Sequence, residues 1–516
     1  MSEAKAETGQ FQMPSEIGIH EIDEESSKNY LNYKYACASV VVASVSSMTY
    51  GYIAAVISGA LLFIKEDLKI SDPQVQLLAG ILNVCSLAGS LAAGRIADII
   101  GRRYTIIVAS LLFMLGSILM GYGPSYEILI MGRCISGFGS GFALIIVPVY
   151  CAEISPPSSR GFLTCVPELS LNVGLLLGYA SNFAFGKLSL KLGWRIMNGV
   201  TAIPSLGLAI AMLKMVESPR WLVMQGRISE ARNVLLLLSN SDHEAKVRLR
   251  AIKIAAGIDE NCHQDIVPVA KQTRGGAGSL KALLWKPSRS VRRILIAAVA
   301  VHLFQQLSGF QVFLVYAPRI FEKAGMRDKN KLLLATVGMG IIKMAVAFAA
   351  AFLLDKVGRR VLLLISSGGT VVSLLGLGVC MTMVEHSGED LAWPISFTIV
   401  AVYGFVGFMG IGLGPVTWVY SSEIFPLRLR AQGLGIGVVV NRITGMAVIM
   451  TFITLYNMIT MGGIFFVYCG ATAIAWWFYY VFLPETKGKS LEDMEAVFGK
   501  SPKSEVRADP PHCNGS

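Results

Sequence analysis

Three glutamines fall within seven residues of one apolar run: Gln305, Gln306 and Gln311 in "QQLSGFQ". Each amide offers an acceptor oxygen and two donor hydrogens, which suits an uncharged solute carrying several hydroxyls. Hydrogen bonding between packed helices is the plainer use of such groups. Glu168 stands alone in a second apolar run, "VPELSLNVGLLLGYASN" (166–182). A carboxylate there is costly unless protonated or paired, which marks it as a functional position. Trp418 follows Gly414-Pro415. Its face can cover C–H groups while its indole N–H donates, and an anchor at a membrane interface is the other use of such a Trp. The chemistry of this set is recognition rather than bond cleavage. The six His, at 20, 243, 263, 302, 386 and 512, form no metal-ligand spacing. No Ser/His/Asp set is visible, although such sets need not be local in sequence. We expect no catalytic residues, no metal and no cofactor.

The elements that position these residues follow from composition. Of the 516 residues, 53% are apolar and 15% charged, against about 25% charged in soluble domains. The mean hydropathy is +0.57. Twelve apolar stretches are long enough to cross a bilayer, near 36–62, 75–97, 104–122, 127–152, 162–185, 196–215, 292–317, 332–354, 361–383, 395–420, 432–456 and 462–483. Backbone groups cannot stay unpaired in hydrocarbon, so these are helices. The net charge of +11 gathers on one side of the spans. Read by the positive-inside rule, it is a topology signal that places both termini in the cytosol, and it implies no nucleic acid. Lys323, Arg327 and Lys329 fall on the wrong side. Residues 1–34 are polar and acidic, so the first span serves as the targeting signal. The nine Cys show no paired spacing.

A charged phrase recurs between the spans. "DIIGRRYTI" (98–106) returns as "DKVGRRVLL" (355–363), 257 residues later. "YCAEISPPSSRG" (150–161) returns as "YSSEIFPLRLRA" (420–431), and "VESPRWL" (216–222) rhymes with "LPETKG" (483–488). The chain is therefore two halves of six spans. Parallel repeats of this kind, related by an axis along the membrane normal, build transporters whose substrate binds at the midplane between halves. The units are a cytosolic tail (1–34), a six-helix bundle (35–216), a cytosolic linker (217–291), a second bundle (292–484) and a cytosolic tail (485–516). Ser241 and Glu244 form a capping box for an amphipathic linker helix carrying Ala245, Leu249, Ile252 and Ala256 and ending at Gly257, "RISEARNVLLLL" suggests a second, and "RGGAGS" (274–279) reads as a flexible link.

The charges Asp98, Arg102, Arg103, Glu153 and Arg160 of the first half match Asp355, Arg359, Arg360, Glu423 and Arg430 of the second. Any one of them could anchor topology. Acid and base recurring at fixed spacing in both halves point to a cytosolic ion-pair gate that holds in the outward-facing state and breaks on inward opening.

"GRIADIIGRR" (94–103) resembles the signature loop of the major facilitator superfamily. "VESPRWL", "QQLSGF", "GPVTWVYSSEIFPLRLRAQG" and "LPETKG" resemble its sugar porter branch. The stretch 166–182 and "VNRITG" (440–445) look most like the plant polyol and monosaccharide transporters within it. The resemblance implies an all-α fold of two pseudo-symmetric six-helix bundles. It also implies substrate contact at Gln305, Gln306, Gln311, Trp418 and Asn441. Hexose-type relatives usually carry Gln at the place of Glu168 and often Trp at the place of Arg442. Glu168 and Arg442 are then either a substrate and coupling device or a structural pair.

Two departures bear on mechanism. Proton-coupled members carry an Asp in span one that faces an Arg in span four. Here "TYGYIAAVISGA" (49–60) has Ile53 at that place, while Arg133 remains. Coupling needs a group whose pKa swings between states, and Ile53 cannot supply one. Facilitated diffusion and coupling through Glu168 both stay open. Gln311 and Val315 depart from the usual Asn or Asp and hydroxylated aromatic. "GFGSGF" (137–142) and "GFMGIGLG" (407–414) lie inside apolar helices, where small residues serve packing rather than nucleotide binding. The expectation is a monomeric carrier of a polyol, cyclitol or monosaccharide, with protons as an optional second cargo, in the lipid bilayer of the plasma membrane. A non-transporting sensor on the same scaffold and a membrane enzyme are the rivals.

Overall fold

The computed structural model describes residues 16–156, 159–239, 241–256, 258, 289–387, 392–425 and 430–487. The Gly-rich link 274–279, Gly257 and the tail beyond 487 lie outside the described residues, as do the side chains of Asp355 and Arg430. Among the described residues, twelve helices are long and apolar enough to span a membrane. Spans one to six are Lys34–Leu68, Asp72–Ile100, Arg102–Tyr122, Tyr126–Ile154, Arg160–Phe185 and Leu190–Met212. Spans seven to twelve are Ser290–Lys323, Lys329–Leu354, Arg359–His386, Trp393–Ile424, Gln432–Ile459 and Met461–Phe482. The protein is a multi-pass integral membrane protein. The helix of span one starts at Glu16, well before the apolar stretch begins, because no Pro or paired Gly interrupts 16–33.

Apolar packing divides along the membrane normal. Around the ends of the spans far from the repeated phrases, one cluster joins both halves. It includes Ile57, Phe63, Leu78 and Trp194 of the first half with Phe313, Phe321, Phe405 and Phe452 of the second. On the side of the repeated phrases the halves pack separately. Ala97, Phe113, Tyr150 and Ile154 belong to a cluster of the first half and the linker residue Leu238, with no member from the second half. Leu363, Val416, Tyr420 and Phe425 belong to one of the second half alone. The molecule is thus welded at one face and divided at the other, hereafter the loop face.

Spans seven and ten are broken. Span seven runs Arg289–Leu307 and resumes as Phe310–Lys323; span ten runs Ala392–Ile411 and resumes as Leu413–Ile424. Irregular backbone at membrane depth is tolerated only where protein or a wet cavity receives its polar groups. Ser366 meets part of that need, accepting from Leu413 N at 2.9 Å and donating to Phe408 O at 2.7 Å.

Between the halves, the helices Pro219–Met224, Ile228–Leu238 and Asp242–Ala255 pack on one another through Trp221, Leu235, Ala245 and Leu249. Ser241 Oγ accepts from Glu244 N at 3.2 Å, the cap expected from the sequence. Trp221 Nε1 donates to Asp98 O at 3.1 Å and Arg248 to Ser155 O at 3.3 Å, which docks this layer under the first half. Burial pulls the Arg248 guanidinium below its ordinary pKa, against the nearby Glu244.

Candidate substrate site and gates

The amides meet where the two broken spans approach span eleven. Asn441 Nδ2 donates to Gln305 Oε1 at 2.7 Å, and Gln306 Nε2 donates to Asn441 Oδ1 at 3.0 Å. Gln305 Nε2 donates to the carbonyls of Leu413 at 2.8 Å and Gly414 at 3.2 Å, in the break of span ten. Gln305, Gln306 and Asn441 are all buried. The adjacent glutamines diverge as neighbours on a helix must. Gln305 ties off backbone, while Gln306 leaves its Oε1 buried with no donor among the described residues. A Cβ on residue 445 would crowd that oxygen at 3.0 Å and make ordinary contact with Gln311 Cγ at 3.5 Å, so Gly445 leaves Gln306 room. Gln311 is half-buried.

Trp418 is 37% exposed, and its ring meets that of His302 edge-on at 5.0 Å. His302 is fully buried, with Nε2 3.1 Å from Ser421 Oγ. Sequence reading gave His302 no role; its one signal was a histidine alone in the apolar run 294–304.

Glu168 and Arg442 do not pair in this state. Arg442 Nη1 reaches across the halves to donate to Tyr50 Oη at 3.4 Å. Glu168 is exposed; it accepts from Asn172 Nδ2 at 3.4 Å, and the cation acting on it is Lys343. Arg133 is 1% exposed and spends its guanidinium on backbone, donating to Ile53 O at 3.2 Å and Leu78 O at 3.3 Å. With Ile53 in span one, carbonyl oxygens take the place of a carboxylate.

The loop face carries two matching ion-pair clusters, one inside each half. Arg102 Nε lies 3.2 Å from Glu153, and Arg359 Nη2 lies 2.9 Å from Glu423. Each Arg also donates to the last turn of the preceding span, at Ala97 O (3.1 Å) and Leu354 O (3.0 Å). Ser218 Oγ donates to Glu153, and Thr486 Oγ1 to Glu423 at 2.7 Å. Two carboxylates that sequence reading did not single out complete the clusters. Glu217 Oε1 accepts from the amides of Arg102 at 2.9 Å and Arg103 at 3.1 Å, capping span three. Glu485 accepts from the amides of Arg359 at 2.8 Å and Arg360 at 3.0 Å, capping span nine. Their signal was the rhyme of "VESPR" with "LPETK". Burial raises the Glu217 carboxyl above its ordinary pKa, against the pull of the amides and of Arg103.

The glycine of each phrase now has a reason. Gly101 (φ 98°) and Gly358 (φ 104°) take a backbone conformation that side chains disfavour. A Cβ there would also strike Glu217 Oε2 at 2.4 Å or Glu485 Oε2 at 2.9 Å. Asp98 supports Arg102 at 3.3 Å from an exposed position. Arg103 donates to Met215 O at 3.0 Å and Arg360 to Tyr480 O at 2.5 Å. Arg160 is exposed and joins neither pair. These clusters stiffen each half internally. Each Arg is held by its own preceding span and so binds the acid of its own half.

Among the described residues, the ion pairs between the halves lie at the welded face. Arg319 Nη2 is 3.2 Å from Asp72, which also takes Lys65 at 2.6 Å. Lys329 Nζ is 2.5 Å from Glu66. The cations on the wrong side for topology thus include one that bridges the halves. A cavity of about 660 Å³ sits among these residues, lined by both halves.

The sequence pattern of the family described as Sugar (and other) transporter matches residues 39–498. Probable polyol transporter 6 of Arabidopsis thaliana is 54% identical over 465 residues, covering 90% of this chain and 94% of that protein. Polyol transporter 5 of Arabidopsis thaliana is 50% identical over 483 residues, covering 93% and 89%. Among solved structures, the inward open conformation of the xylose transporter XylE from E. coli superimposes with a TM-score of 0.73 at 24% identity, over 90% of this chain and 100% of that one. The last likeness establishes the fold, two six-helix bundles of the major facilitator kind. The extent of the family match and the identity to its members establish that this chain belongs to the Sugar (and other) transporter family.

Proposed function

We propose that the chain carries polyols and monosaccharides across the plasma membrane by alternating access, as a monomer with both termini in the cytosol. The observation that carries this reading is the buried Gln306 Oε1. It lacks a donor within a network that otherwise satisfies Gln305 and Asn441. A buried unpaired acceptor costs about 1–3 kcal/mol, and a substrate hydroxyl would remove that cost. Trp418 supplies an apolar face nearby, and the names of the Arabidopsis relatives support polyols as the substrate class.

The state described here is read as inward-facing. A shared apolar cluster and two cross-half ion pairs seal one face, while the halves pack apart at the basic loop face. The pairs Arg102–Glu153 and Arg359–Glu423 coexist with that seal, so inward opening does not require both to break.

Facilitated diffusion is the transport mode that span one favours, because Arg133 faces backbone rather than a titrating acid. The test is uptake into proteoliposomes of sorbitol, mannitol, inositol and glucose under an imposed pH gradient. Saturable equilibration without accumulation supports the reading. Accumulation above equilibrium refutes facilitated diffusion and turns attention to Glu168. No uptake of any of the four refutes the carrier.

A further inference from the structure

The cavity of about 660 Å³ at the welded face gathers more positive charge than the carboxylates around it offset. Lys65 and Glu66 of span one line it, with Arg319, Glu322 and Lys323 at the end of span seven and Lys329 at the start of span eight. Asp72 joins them by pairing with Lys65 and Arg319, so four cations face three carboxylates. The surplus is local. One oxygen, Asp72 Oδ1, takes both Lys65 Nζ at 2.6 Å and Arg319 Nη2 at 3.2 Å. Two cations of opposite halves thus share one negative charge. Lys329 is matched by Glu66. Among the described residues Lys323 and Glu322 close no ion pair, and the Lys323 ammonium stands 5.9 Å over the ring of Tyr456. The Arg319 side chain is only 16% exposed, so water screens this excess less than on open surface. None of Gln305, Gln306, Gln311 and Asn441 lines the cavity.

The walls define the ligand. Leu61, Val75 and Val315 supply apolar surface beside the charges, which suits a hydrocarbon body. Arg319 donates to Asp72, and a guanidinium has five N–H donors in a planar fork that matches a carboxylate. A surplus of one positive charge matches a single negative one. We propose that this cavity binds a small organic monocarboxylate and that the bound anion holds the welded face shut. Its carboxylate lies between Lys65 of the first half and Arg319 and Lys323 of the second. Opening of this face draws those cations apart, so the site is complete only while the face is closed. A ligand of one state withdraws the protein from the other. For transport, a consequence that rests on the carrier reading above, the anion is a brake. Excess polyol does not release it, because the anion holds a state that polyol on that side cannot enter.

The test measures binding separately from transport. The probes are benzoate and its uncharged counterpart benzamide at neutral pH. Titration calorimetry of the purified full chain in detergent gives affinities, and sorbitol uptake into proteoliposomes is run with benzoate on both sides. Charge-assisted hydrogen bonds should make benzoate bind roughly tenfold tighter than benzamide. Lys323→Gln and Glu322→Gln change the charge of the cavity without touching a cross-half ion pair. The first should weaken benzoate and the second should strengthen it, each by up to roughly fivefold, and thermal unfolding checks that both variants fold. Benzoate should lower the maximal rate of sorbitol uptake, and saturating sorbitol should not restore it. Absence of benzoate binding, equal affinity for benzamide, or unchanged affinity in both variants overturns the site. Binding without a fall in maximal rate overturns the brake, and inhibition that saturating sorbitol fully relieves places the anion at the substrate site and overturns both. The expected pattern of binding in a chain that takes up no polyol sinks the carrier reading and leaves the site standing.

Discussion

Replacing Asn441 by Asp reverses one hydrogen bond of the site and adds a buried carboxylate without changing its shape. Asn441 gives Nδ2 to Gln305 Oε1 at 2.7 Å and takes Gln306 Nε2 at 3.0 Å. Asp keeps the second bond and reverses the first, setting a carboxylate oxygen against an amide oxygen. Gln305 cannot relieve this by turning over, because its Nε2 is held by the carbonyls of Leu413 and Gly414 at 2.8 and 3.2 Å. Turning it would set Oε1 against both. Arg442 does not compensate, since a neighbour on a helix points about 100° away. The cost is at least that of one stranded buried acceptor, about 1–3 kcal/mol, because burial of the carboxylate adds to it. If Gln305, Gln306 and Asn441 shape the substrate subsite, that cost appears as a rise of roughly five- to 150-fold in the KM for sorbitol uptake. The assay is initial-rate uptake into proteoliposomes, with thermal unfolding of the same protein in detergent as control. A folded Asn441→Asp protein with wild-type KM would refute the placement of this network at the substrate.

Other outcomes follow from the gates and from Ile53. Neutralising Arg359 and Glu423 together frees the end of span ten from the signature loop. It should raise maleimide labelling of the exposed Cys165 in a background without other cysteines, and unchanged labelling would count against any link between the clusters and loop-face opening. Asp72→Asn with Glu66→Gln removes both cross-half ion pairs of the welded face. At about 0.2–1 kcal/mol for each partly exposed pair, the outward-open population should rise up to roughly thirty-fold, read as reactivity of Ser58→Cys in the cavity of the welded face. No change there would mean that the shared apolar cluster and the uncharged hydrogen bonds hold that face without the ion pairs. Ile53→Asp gives Arg133, which now donates to the Ile53 carbonyl at 3.2 Å, a titrating partner. It should turn equilibration into accumulation under an inward proton gradient, and an accumulation ratio equal to that of the parent would refute the role assigned to this position.

What the sequence alone determined is what local chemistry and repetition can carry. Apolar length set the twelve spans, because a bilayer accepts only helices of sufficient reach. The recurrence of Gly101-Arg102-Arg103 as Gly358-Arg359-Arg360 set the two halves, and with Glu153 and Glu423 it pointed to the loop-face ion pairs. The amides, too, were legible, since three in one apolar span cannot be idle. Tertiary structure decided who meets whom. Glu168 was read against Arg442, yet the cation acting on it is Lys343 and the partner of Arg442 is Tyr50, 392 residues away in the chain. Which residues of two halves come together depends on how the bundles are tilted, and periodicity within a helix carries no record of that tilt. The sealed face was hidden for the same reason: Phe313 and Phe452 read as ordinary span residues until the shared cluster placed them with Ile57 and Leu78.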